Sequence, residues 1–391
     1  MNAAVAVAVV AAGLLFAGPA GAETVSCGQV ITADTTVDND LVDCPEDGLV
    51  IGAPGITLDL NGHGISGRFD GHDCQTDCIA RHGIDSRGFD RITIKNGSVG
   101  NFKAGVFLQG TAHSRLVDLR LTGGPTPLAT GVGLLLLRSD HNRVQRVTSG
   151  RGDPGILLWE SRRNAIVNSV AGGSVSIHRG TGLVLYAGSD ENRIADTRIS
   201  GDWTGLEIIE SDGNRVAGCE AGGYVGNRLE GDRNVVIGCK LDGGRSPGMS
   251  VDGSRNRIKE NTVSGDGGLL LSGDRNLIAG NSVRDSFFGG IVVGAGDRNT
   301  VRDNSVVNSS SPSYGIHVRT QTTRTRLVEN VVTDSEYDGI FVEAPGTVVG
   351  RNTANDNGDL GINAVSGIVD AGGNAASGNG NPLQCINVAC R

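Results

Sequence analysis

The chain has 391 residues, 62 of them glycine, is only 4% aromatic and carries a formal net charge of −9. That length exceeds the usual single-core domain, so a single unit must have a core that grows along one axis. The glycine shows no Gly-X-Y period, which excludes collagen. An acidic balance without a Lys/Arg block also excludes a sequence-independent nucleic-acid binder.

Residues 1–22 are small and apolar, carry no Asp, Glu, Lys or Arg, and end in Ala20-Gly21-Ala22, an A-x-A cleavage pattern. They read as a signal peptide, because Gly and Pro interrupt the run that an anchor would need. The expected location is therefore secreted or extracytoplasmic, without stable membrane insertion. Residues 23–54 read as a leading segment and N-terminal cap. Export makes the eight cysteines a disulfide framework. Cys27/Cys44, Cys74/Cys78, Cys219/Cys239 and Cys385/Cys390 are natural neighbours, although spacing alone leaves the connectivity open.

From residue 55 to about 370 one pattern recurs: Gly-apolar-x-apolar-x, a short polar turn, then Asn-x-apolar-x-x-Asn-x-apolar. Gly205-Leu206-Glu207-Ile208 leads to Asn214-Arg215-Val216, and Gly268-Leu269-Leu270-Leu271 leads to Asn276-Leu277-Ile278. The first Asn falls at 142, 164, 192, 214, 234, 256, 276 and 299, at intervals of 20 to 28 residues, with Ser114, Thr325 and Thr347 at equivalent positions. Alternating apolar residues over so few positions predict short strands with one face inward. The period is too short for a propeller blade and lacks the leucine-rich consensus. It fits a single-domain right-handed parallel β-helix of about a dozen coils, roughly 60 Å long at one strand spacing per coil. The Asn column reads as structural: Asn tolerates left-handed backbone angles, and stacked amides can bond from coil to coil. Cys219 and Cys239 share one slot in neighbouring coils, which brings them near disulfide range. Residues 371–391 read as a C-terminal cap.

The segment Gly55-Ile56-Thr57-Leu58-Asp59-Leu60-Asn61-Gly62-His63 resembles the opening coil of bacterial NosD-like right-handed parallel β-helix proteins, in the pectate-lyase-like superfamily. Cys27-Gly28-Gln29 with Leu41-Val42-Asp43-Cys44 resembles that family's leading segment, and Asn379-Gly380-Asn381-Pro382-Leu383-Gln384-Cys385 a closing cap seen in such proteins. The resemblance covers nearly all of the chain after residue 22 and implies the fold. It leaves activity open, because the superfamily includes polysaccharide lyases, glycosidases, uronate epimerases and non-catalytic surface proteins. Gly62-His63-Gly64 and Arg257-Ile258-Lys259 match two polygalacturonase elements, but the acidic elements are absent. Asp153-Pro154-Gly155-Ile156 departs from the Asp-Pro-His-Asp element of alginate epimerases. Copper handling would predict Met/His-rich stretches, whereas this chain has two Met and seven His.

Register sorts the surface. In each Gly-led strand the residues between the inward ones point out. The outward pairs are Leu135/Leu137, Leu157/Trp159, Val184/Tyr186, Glu207/Ile209, Arg228/Glu230, Ser250/Asp252, Leu270/Ser272, Val292/Gly294, His317/Arg319 and Phe341/Glu343. The apolar run from Leu135 to Ile209 is covered by a longer turn or the N-terminal segment, used as a homo-oligomer contact through Leu135, Leu137, Leu157 and Trp159, or used as a sugar platform around Trp159 and Tyr186. Beyond it the face turns charged. Glu207, Glu230 and Asp252 supply carboxylates and Arg228 a cation, the residue types of lyase or glycosidase catalysis; the plainer reading is a solvated salt-bridge ladder. A row of aromatics before the strands (Trp203, Tyr224, Phe287, Phe288, Tyr314, Tyr337) suits a sugar track or packing between turns. His63, His72, Asp73, Cys74, Asp77, Cys78 and His82 crowd into one stretch, but a Cys74–Cys78 disulfide would remove two ligands, and neither a metal nor a cofactor is expected. Two functions follow as expectations: an exported protein that binds or processes extracellular polysaccharide along its outer face, as a lyase or hydrolase if an enzyme, or a non-catalytic structural protein of the surface or matrix.

Overall fold

The computed structural model describes residues 21–68, 81–124, 131–173, 180–310 and 313–391. Among them every regular element is a strand, two to ten residues long. Each coil contributes one strand to a sixteen-stranded parallel sheet, which starts at Gln29–Ile31 and ends at Cys385–Ile386. Two further columns of parallel strands close each coil; Thr93–Phe102 and Arg115–Gly123 run through both columns without a break. This is the parallel β-helix expected, wound in the right-handed sense that parallel crossovers take. The leading and closing segments add coils to the dozen counted on the repeat, so the stack extends about 70 Å at one strand spacing per coil.

The core follows from the alternation. Leu136, Leu158, Leu185, Ile208 and Leu229 face each other in successive strands of the first sheet, all fully buried. The same column continues through Val251, Leu271, Val293, Val318 and Val342. Each such side chain contributes about 1.5–3 kcal/mol on leaving water. Glycine opens the strands because backbones meet there: a Cβ at Gly155 would lie 2.5 Å from the Gly172 carbonyl oxygen, and one at Gly205 would lie 2.6 Å from the Gly222 nitrogen.

The Asn column is structural, in a form that differs in two respects from the expectation. From Asn142 to Asn299 each Oδ1 accepts the backbone N–H of the equivalent residue one coil earlier, at 2.8 Å. Most of the Nδ2 groups donate to backbone carbonyls, as Asn256 does to Gly231 at 2.8 Å. A second column, Asn261, Asn281, Asn304, Asn330, Asn352 and Asn374, does form amide-to-amide bonds of 2.9–3.2 Å. The left-handed residue is the one before each Asn, for example Arg163, Arg233, Arg255 and Arg275, with φ between 54° and 60°. The Asn must aim its carbonyl inward along the axis, so its neighbour makes the turn.

Three cysteine pairs are bonded: Cys27–Cys44, Cys219–Cys239 and Cys385–Cys390, with Cα separations of 5.5, 4.5 and 6.2 Å. Cys74 and Cys78 lie outside the described residues, as do residues 1–20 of the signal segment.

Candidate functional site

The outer face of the sixteen-stranded sheet carries two columns. One runs Leu135, Leu157, Val184, Glu207, Arg228, Ser250, Leu270, Val292, His317, Phe341. The other runs Leu137, Trp159, Tyr186, Ile209, Glu230, Asp252, Ser272. Leu135, Leu137 and Leu157 are half-buried, Val184 is buried, and Trp159 and Tyr186 are exposed with ring centroids 5.7 Å apart, edge to face.

The charged band lies where register puts it. Glu207 faces Arg228, and Glu230 faces Asp252. Arg228 gives its guanidinium to Glu230, while Asp252 stands exposed without an ion pair among the described residues. Glu207 differs from the others: burial pushes its carboxyl above the ordinary glutamate range, against the lesser pull of Thr204 and Arg228. The structure therefore brings Glu207, Arg228 and Glu230 together, with Asp252 in register beside Glu230 but outside the ion pair. Three concavities, of about 510, 400 and 420 Å³, are lined by Asp40 and Arg120, by Arg198 and Asp242, and by Asp118 and Arg146; none of the four band residues lines them.

The aromatic row forms separate groups along the edge where these strands begin. Trp203 and Tyr224 stack at 5.7 Å, with Arg245 6.0 Å over the Tyr224 ring. Phe287 packs edge-on against Phe288 at 4.8 Å. Tyr314 and Tyr337 meet at 6.3 Å. Glu207 thus sits on a face with one exposed aromatic pair toward each end of its strand.

The last of these groups belongs to a cluster that sequence reasoning passed over. His317 Nε2 lies 3.0 Å from Glu343 Oε2. Its ring stacks on Phe341 at 5.2 Å and meets Tyr314 edge-on at 5.0 Å. Asp338 is buried and accepts hydrogen bonds from the Leu360 N–H (3.0 Å) and Asn363 Nδ2 (2.9 Å). Burial lowers the His317 imidazole and raises both the Asp338 carboxyl and the Tyr314 phenol. The signal was present, since His317/Arg319 and Phe341/Glu343 are outward pairs of adjacent coils.

At the other end of the rod His63 bonds Asp40 at 3.1 Å as a turn residue. His82 Nδ1 lies 3.2 Å from Asp85 and 3.6 Å from Asp47, and the Asp85 carboxylate is also clamped by Arg87 at 2.9–3.1 Å. Asp47, His82 and Asp85 are the one group of three close metal-capable side chains among the described residues. His72, Asp73, Cys74, Asp77 and Cys78 fall outside them. His113 and His141 stack at 5.0 Å on neighbouring turns, with no third such donor among the described residues.

A sequence profile of the family described as "Periplasmic copper-binding protein (NosD)" matches residues 70–225 and 221–372. No curated protein matches the sequence. Among solved structures, the Dettilon tailspike protein is similar over 82% of this chain at 17% identity and a TM-score of 0.42; the match spans 60% of the tailspike, less than two thirds of its length. A mutant of the periplasmic alginate epimerase AlgG is similar over 93% of this chain and 86% of its own, at 13% identity and a TM-score of 0.42. A mutant DFA-IIIase from Arthrobacter chlorophenolicus A6 is similar over 74% and 71%, at 13% identity and a TM-score of 0.42.

Proposed function

The chain belongs to the NosD family, and from that premise we propose that it is an extracytoplasmic β-helix protein that binds an acidic polysaccharide along the outer face of its sixteen-stranded sheet and processes it there. The family is described as periplasmic, and three disulfides suit an oxidising compartment. No helix of the described residues is long and apolar enough to cross a membrane.

Copper, which the family description names, does not suit the donors described. Copper is selected by thiolate, thioether and imidazole ligands. Here six cysteines are bonded to one another, Met249 is buried in the core, and the Asp47–His82–Asp85 group offers one imidazole, with Asp85 neutralised by Arg87.

The observation that carries the polysaccharide reading is the pair of exposed aromatic pairs, Trp159/Tyr186 and Trp203/Tyr224, on either side of the half-buried Glu207. Sugar faces stack on such rings while the polar tips stay wet. Between them the half-buried Glu207 carboxyl offers oxygens that hydrogen-bond sugar hydroxyls. The test is affinity electrophoresis of the chain, disulfides intact, through gels containing polymannuronate, polyguluronate, polygalacturonate or a neutral glucan. Retardation by at least one uronate polymer is expected, with the apparent dissociation constant about tenfold weaker in Trp159→Ala and in Trp203→Ala. Unretarded migration in every gel defeats the reading.

A further inference from the structure

His317 stands in the same outward column as Glu207, five strands further along. Its imidazole is held by contacts on its ring and at Nε2. Phe341 and Tyr314 hold the ring plane, and Glu343 holds Nε2. Nδ1 makes no hydrogen bond among the described residues. The Tyr314 ring meets the imidazole edge-on at 5.0 Å, and its hydroxyl makes no hydrogen bond among the described residues. Arg319, two residues further on the same strand face, is exposed and makes no ion pair among the described residues. The preceding coil presents only Val292 to the imidazole and the following one Phe341, so the charged groups around it are Glu343, Arg319 and, across the Tyr314 ring, Asp338.

This arrangement groups an imidazole, a phenol and a guanidinium on one coil, with a carboxylate from the next. We propose that the His317–Glu343–Tyr314 cluster cleaves uronate polymers by β-elimination, with Arg319 holding the uronate carboxylate. The inference rests on the reading of this face as a polysaccharide surface and adds the chemistry to it. In the step, Nδ1 of neutral His317 takes the proton from the ring carbon that bears the carboxylate. The C–H electron pair forms a double bond to the neighbouring ring carbon, and the bond from that carbon to the glycosidic oxygen breaks. The departing oxygen takes the Tyr314 hydroxyl proton. The imidazolium then returns its proton, through water, to the phenolate. No oxidant, reductant or water is consumed, and each cut leaves one unsaturated uronate end and one hydroxyl end. Arg319 offsets the charge that builds on the substrate carboxylate as the proton leaves. Glu343 is a positioning residue that keeps the proton of neutral His317 on Nε2 and so frees Nδ1. Asp338, buried and bound at both carboxyl oxygens, orients Asn363 at the end of the column.

The experiment follows ultraviolet absorbance of unsaturated uronate ends, and separately reducing ends, when the chain is given polymannuronate, polyguluronate, polygalacturonate or hyaluronan. Growth of absorbance with at least one polymer is expected. His317→Gln and Tyr314→Phe should each lower kcat at least about 100-fold with thermal unfolding unchanged. Glu343→Gln should lower kcat and move the acid limb of the pH profile to lower pH, because the carboxylate raises the imidazole's proton affinity; Glu343→Asp should restore part of both. Reducing ends without absorbance, no change in any polymer, or an unaffected rate in a folded His317→Gln protein each overturn the proposal. Retardation in the uronate gels without absorbance would overturn the chemistry alone, whereas loss of both would remove the polysaccharide reading as well.

Discussion

Asn256 shows how one side chain serves three coils: its Oδ1 takes the Asn234 N–H, its Nδ2 reaches the Gly231 carbonyl, and its own N–H goes to Asn276, each at 2.8 Å. Asn256→Ala removes the first two bonds and strands a buried N–H and a carbonyl, and should cost about 2–4 kcal/mol in urea unfolding. An exposed neighbour such as Arg257→Ala should change little. This column was legible because only a repeated structural need puts Asn at a fixed slot over many coils. The left-handed residue beside it was not, since Arg, Glu, His and Gly all occupy it and no composition marks it. Glu207 makes a second residue-scale case. Its folded carboxyl keeps a proton to higher pH than an unfolded one, so its contribution is fully present below the unfolded value and is lost as pH rises through the folded value. Glu207→Gln should therefore raise the melting temperature at pH 8 and leave it unchanged near pH 4. A larger effect at acid pH would contradict the buried-carboxyl account.

At the scale of the coil, period-two alternation after each Gly fixed which side chains face out, and every outward pair from Leu135/Leu137 to Ser250/Asp252 lies in register in the sheet. The His317 cluster was harder to read. Tyr314 and Asp338 come from turns and Glu343 from just past a strand end, and turn length varies from coil to coil, so their meeting depends on geometry that spacing does not encode. The Cys219–Cys239 pair is the favourable opposite: equal positions in adjacent coils suffice. That pair occupies the slot that Asn261 fills in the next coil, and the Cys239 N–H already donates to Asn261 Oδ1 at 2.9 Å. Replacing both cysteines by Ala should cost about 3 kcal/mol. Replacing both by Asn should cost less, because the amides extend the ladder. Equal losses in the two double variants, compared by denaturant midpoint, would mean that the slot does not transmit the ladder.

The whole molecule is a rod, and its length decides between the two uses of its apolar stretch. Trp159 and His317 are seven strands apart on one face, about 34 Å at one strand spacing each. A polymer lying along the rod touches both; an oligosaccharide shorter than that separation touches one. If the face binds polysaccharide, Trp159→Ala should raise the KM for long uronate chains about tenfold and leave short ones unchanged, because the lost ring lies beyond their reach. The sedimentation coefficient should stay the same. If Leu135, Leu137, Leu157 and Trp159 instead form a contact between copies, Leu157→Glu and Trp159→Ala should convert a dimer to a monomer, since a charge or a void in a small apolar interface removes the contacts that hold it. Substrate length would then have no bearing on the effect. Sedimentation velocity and chain-length kinetics on the same two variants separate the cases, because a stacking platform acts only through the ligand and a subunit contact acts without one.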